Sequence, residues 1–163
     1  MKRSLMVMGA LAAVVVPGSP AEAATSVGRF ETLTAGTTAG LEIAGVALVH
    51  RSTHGTTGRV VLYGLEAGAV YAAHLHNQPC GLGAGGTHYK DVVTGLGAPP
   101  NELWLSSSAD PTAGVTANRA GVARGSGAAD WVARPEAQSV VIHQVVPATD
   151  TSGGPKLACA DLT

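Results

Sequence analysis

Beyond residue 24, hardly any stretch of the chain repeats apolar residues at intervals of three and four. Short alternating or β-branched runs take their place, separated by Gly, Pro, Asp and Ser. Such runs, punctuated at near-regular spacing, predict an antiparallel all-β sandwich or barrel. The marked runs cover residues 28–33, 41–50, 58–65, 70–76, 139–145 and 156–162. A strand edge is expected over 102–106. A strand broken by the turn Asn118-Arg119-Ala120-Gly121 is expected over 113–125, with a continuation over 126–132. Aromatic residues are only 4% of the chain, so the core must be built mainly from Val, Leu, Ile and Ala.

The first residues have a different character. Met1-Lys2-Arg3 is a basic start, Leu5 to Val16 is apolar, and Pro17-Gly18-Ser19-Pro20 breaks any helix. Ala21-Glu22-Ala23 fits a small-x-small cleavage site, so residues 1–24 read as a signal peptide cut after Ala23 or Ala24. The run is too short for a comfortable membrane span, and no cysteine near the cut offers a lipid anchor. Residues 25–163 are then one exported domain without internal repeats: secreted, periplasmic or cell-wall-associated, with no membrane attachment after cleavage. The net charge is −1 and Lys and Arg are scattered, which argues against a nucleic-acid partner. Nothing in the residues assigns an oligomeric state. The two cysteines, Cys80 and Cys159, are expected to pair in an exported chain. Closing a loop of that size stabilises by roughly 4 kcal/mol in the chain-entropy model.

Chemistry concentrates between residues 73 and 88. His74 and His76 are two apart, so on a strand they point to one face, roughly 6.5 Å apart. Cys80 opens a glycine-rich turn that returns to His88, and His143 lies on the marked strand near the C-terminus. Four convergent imidazoles suit copper; zinc also accepts His, so ligand type alone leaves both open. His50 and His54, which flank Arg51-Ser52-Thr53, read as exposed histidines of a hairpin, and Trp104 and Trp131 as packing or loop cover.

The stretch Gly64-Leu65, Gly68, Ala73-His74-Leu75-His76, Cys80 and Ala84-Gly85-Gly86-Thr87-His88-Tyr89 resembles the copper–zinc superoxide dismutase family. Val140-Val141-Ile142-His143 and Gly153-Gly154-Pro155-Lys156-Leu157-Ala158-Cys159 extend the likeness, which runs in order from Gly58 to Leu162. The resemblance implies an eight-stranded antiparallel Greek-key β-barrel. It implies His74, His76 and His143 as copper ligands, and His88 as the histidine that bridges copper and zinc. It also implies a Cys80–Cys159 disulfide that fastens the loop. Lys156 takes the place of an arginine that attracts and orients the anionic substrate; it keeps the charge and loses the planar two-donor fork.

The zinc half of the pattern is broken. No histidine lies between His88 and His143, and Asn101 and Trp104 fall about where a zinc-binding His and Asp would lie. The segment between Gln144 and Lys156 is short as well. Both losses resemble the copper-only branch, in which a carboxylate orients the otherwise bridging histidine; Glu102 is the candidate. Asp150 is a lesser candidate for contact with a ligand histidine. The expected function is a copper-dependent superoxide dismutase without zinc, with superoxide as substrate and His88 and Lys156 as its catalytic residues. The alternative is a copper-binding protein on the same fold, for storage, delivery or buffering.

Overall fold

The computed structural model describes residues 23–145 and 154–163. Nearly all of the expected signal peptide lies outside the described residues, as does Asp150. Eight strands follow: β1 (Ala24–Thr32), β2 (Ala44–Ser52), β3 (Gly55–Tyr63), β4 (Val70–His76), β5 (Val115–Thr116), β6 (Ala123–Ala129), β7 (Ser139–Gln144) and β8 (Lys156–Asp161). Their order is β5-β4-β7-β8-β1-β2-β3-β6, and every neighbouring pair is antiparallel. β1, β2 and β3 form a meander; β4 then leaves β3 to pair with β7, and β6 returns to β3, which is Greek-key connectivity.

The two edges are joined by residues 103–106, the expected strand edge. Leu105 donates its amide to the Ala73 carbonyl of β4 (2.8 Å), and Ser106 exchanges two backbone hydrogen bonds with Ser126 of β6. The eight strands therefore form a nearly closed barrel, which leaves little unpaired edge.

Alternation along the strands fills the interior with Val49, Val60, Leu62, Leu75, Val140, Ile142 and Leu157, all essentially inaccessible to solvent. Phe30 is the chain's single phenylalanine and joins them. Two short helices among the described residues went unforeseen: a 3-10 turn over Pro111–Ala113 and a five-residue helix, α1 (Thr34–Thr38). So short a helix has no stability of its own, and its first residue has no side-chain cap. It is held by packing on β8, where a Cβ on Gly36 would collide with the Leu157 carbonyl.

Candidate metal centre

His74 and His76 alternate on β4 with core residues Ala73 and Leu75, so both project from the barrel's outer face. They are nevertheless 2% and 0% exposed, because loops cover that face. His143 projects beside them from β7, just after a register irregularity between Ile142 and His143. His88 arrives by backbone pairing. The Asn77 amide donates to the Thr87 carbonyl and the Tyr89 amide to the Leu75 carbonyl, both at 2.9 Å, so residues 87–89 run beside the end of β4. The loop needs glycine there. Gly86 has φ +71°, and a Cβ on it would lie 2.6 Å from Asn77 Oδ1. That oxygen is the acceptor for the Thr87 amide.

The four histidines thus come from two strands and a loop, and one nitrogen of each lies within 4.8 Å of the others. His76 Nε2 and His143 Nε2 are 3.1 Å apart. Two buried nitrogens, His74 Nδ1 and His76 Nδ1, have no hydrogen-bond partner among the described residues. Burial holds His74 well below the usual imidazole range, with repulsion from His88, His143 and His76 adding to it. His76 is pushed down to about 2, first by burial and then by His143, His88 and Lys156. The Gly86 carbonyl pulls the other way, although it forms no hydrogen bond that satisfies Nδ1. Neutral imidazoles that repel protons and leave nitrogens unpaired are suited to a metal cation. The donor set is all nitrogen, which copper and zinc both accept.

The outer nitrogens of two rings are occupied. His143 Nδ1 lies 3.2 Å from the Gly154 carbonyl, and His88 Nδ1 lies 2.9 Å from Glu102 Oε2. A carbonyl accepts and a carboxylate accepts, so both rings carry a proton on Nδ1 and turn Nε2 towards the cluster. Glu102 lies on the loop from 91 to 102 and could have been a solvated acid. Its side chain is 1% exposed, which rules out the solvated reading. Its Oε2 also accepts from Trp104 Nε1 at 2.7 Å.

Cys80 and Cys159 are joined in a disulfide that ties the glycine-rich loop to β8. Asp161 beside them accepts from the Cys80 amide; with both thiols oxidised this trio offers no thiolate to a metal. Lys156 faces a cleft of about 710 Å³ next to His76 and His88. Its ammonium donates to the carbonyls of Gly83 and Gly86, and burial lowers its pKa. Lys156 is therefore a clamp on the loop as well as a charge in the wall.

The cleft has two more cations that sequence reasoning missed, Lys90 and Arg134. Only folding brings Arg134 there, through hydrogen bonds to the carbonyls of Lys90 and Asp91. Asn101 is spent on structure: its amide group bonds Val92 and Leu96 and knots the loop from 91 to 101. His50 is exposed on β2 and touches Thr25, and His54 lies in the β2–β3 turn, both away from the cluster. Trp131 covers the loop, donating to the Pro100 carbonyl.

No family model and no curated protein matches the chain. Among solved structures, the Cu/Zn superoxide dismutase from Brucella abortus is similar, with 18% sequence identity and a TM-score of 0.56. The match covers 87% of this chain and 100% of that one. At that identity the likeness is one of fold: this chain shares the antiparallel β-barrel fold of that structure.

Proposed function

We propose that the protein is an exported, copper-dependent superoxide dismutase that works without zinc. The observation that carries the proposal is the buried cluster of four imidazoles with His88 held from behind by Glu102. His74, His76, His88 and His143 would hold the copper, whose Cu(II)/Cu(I) couple would supply one-electron transfer. The balanced reaction consumes two superoxide anions and two protons and yields O2 and H2O2.

The chain's own groups have separate tasks. Lys156, Lys90 and Arg134 set three cations in the cleft wall against the two acids Glu102 and Glu136, a net positive balance that favours an anion. Glu102 keeps the proton on His88 Nδ1, which makes Nε2 the atom where this ring gains and loses a proton. The His88 side chain is 26% exposed, so that proton exchanges with water in the cleft. Glu102 also supports the zinc-free reading, since it occupies the nitrogen through which His88 would bridge to a second metal. Asn101 and Trp104, at the positions expected for zinc ligands, are committed to other bonds. The disulfide is compatible with export.

One observation favours the alternative, a copper carrier with no useful turnover: both hydrogen bonds of the Lys156 ammonium go to loop carbonyls rather than to open solvent. Metal analysis of the purified protein followed by a cytochrome c competition assay on the copper-loaded form separates the readings. The dismutase reading expects one copper, no zinc and fast turnover. A rate no higher than that of buffer sinks it and leaves the carrier.

A further inference from the structure

We infer that Trp104 is a positioning residue for His88, acting through Glu102; the inference rests on reading the imidazole cluster as a metal site. Residues 103–105 are zipped along β4. The Leu75 amide donates to the Leu103 carbonyl at 3.3 Å, the Leu105 amide donates to Ala73, and Trp104 pairs with His74 in an isolated bridge. That pairing sets the indole against the His74 ring, with centroids 5.2 Å apart and planes inclined by 41°. The indole N–H reaches away from His74, to Glu102 Oε2. One side chain therefore touches two members of the cluster, His74 directly and His88 through a carboxylate.

The hydrogen-bond inventory makes this arrangement directional. An indole N–H only donates, so the Trp104–Glu102 bond cannot reverse. Glu102 Oε1 is buried with no partner among the described residues, which anchor the carboxylate through Oε2. Two donors share that oxygen: Trp104 Nε1 at 2.7 Å and His88 Nδ1 at 2.9 Å. Without the indole, the His88 ring would be the only hydrogen-bond partner, among the described residues, fixing the group that is meant to fix it. With the indole, the carboxylate has a reference outside the cluster, and the tautomer and tilt of His88 follow from it. A network of this kind acts as a unit, and loss of one member is felt by the rest.

The test uses the copper-free full chain with nitrogen-15 in its histidines, so that long-range correlation spectra report the tautomer of each ring. The wild type is expected to show His88 as a single Nδ1–H tautomer. Trp104→Phe keeps an aromatic ring against His74 and drops the N–H. In that variant the His88 nitrogens should shift towards values averaged over both tautomers. Cu(II) affinity, from competition titration, should fall about 10-fold, as when a group supporting a ligand histidine is removed. If Trp104→Phe does not fold, replacing the indole by isosteric benzothiophene removes the N–H alone; Trp131→Phe then serves as parent so that only one site is replaced. An unchanged His88 tautomer, with Cu(II) affinity also unchanged, overturns the inference. A shifted tautomer in a protein whose parent never bound copper overturns the metal reading and leaves the positioning role standing.

Discussion

Acidifying the copper-free protein from pH 7 to pH 5 should remove a large part of its stability well before most carboxylates are protonated. The cause is the imidazole cluster. In the unfolded chain a histidine takes up its proton near pH 6.5. In the folded chain His74 stays neutral far below that value, and His76 down to about 2. The unfolded state thus binds more protons across the whole interval, so stability is complete above pH 6.5 and falls as the pH drops. Each such histidine contributes a slope approaching about 1.4 kcal/mol per pH unit once the pH is below 6.5. Between pH 6.5 and pH 5 that amounts to about 1.5–2 kcal/mol for His76, and His74 adds to the loss in the same direction. Local opening that admits water to the cluster makes this an upper bound. Against the roughly 5–15 kcal/mol of an ordinary domain, the loss is plainly measurable. Urea unfolding of the copper-free protein at pH 7, 6 and 5 is the assay. Copper binding should move the loss to lower pH, because metal and proton compete for the same nitrogens. A urea midpoint that stays constant between pH 7 and pH 5 would refute the reasoning, since it would mean that the rings are protonated, or solvated, in the native state.

Two further perturbations probe the loop that carries His88. Gly86→Ala places a Cβ at φ +71° and 2.6 Å from Asn77 Oδ1, which should cost about 1–3 kcal/mol in urea unfolding and weaken copper binding; a neutral effect would show that the loop does not depend on this close approach. Lys156→Met removes the clamp on Gly83 and Gly86 and should cost roughly 1–2 kcal/mol, reduced from the buried value by partial exposure. The same variant should lower the dismutation rate and flatten its dependence on ionic strength; a rate unaffected at low salt would assign Lys156 to the loop alone.

The barrel was legible because strand patterning is local. The period-two runs over residues 70–76 and 139–145 mark β4 and β7, whose inner residues form the core. Strand bounds were less legible. β1 starts at Ala24 rather than residue 28, since cross-strand pairing with Arg51 and His50 extends it through residues of weak strand preference. β5 is only two residues long, and α1 only five. Elements this short have no period to detect, and tertiary contacts alone hold them.

The site divides along the same physical line. Four histidines stand out in any chain with six, and pairing of β4 with β7 is enough to bring three of them together. What surrounds them is set by loops, whose paths follow from packing rather than pattern. Glu102 could be singled out only through the resemblance, and Trp104 read as packing, because a shared carboxylate oxygen has no sequence signature. Lys90 and Arg134 carry no motif at all and meet at the cleft through hydrogen bonds to loop carbonyls and, for Arg134, ion pairs with Asp91 and Glu136. The ligands are therefore the conspicuous part of this centre, whereas the groups that orient and charge it are the inconspicuous part. A barrel with the same four histidines but an apolar residue in place of Glu102 would retain the donor set and lose the contact that fixes which nitrogen of His88 faces it.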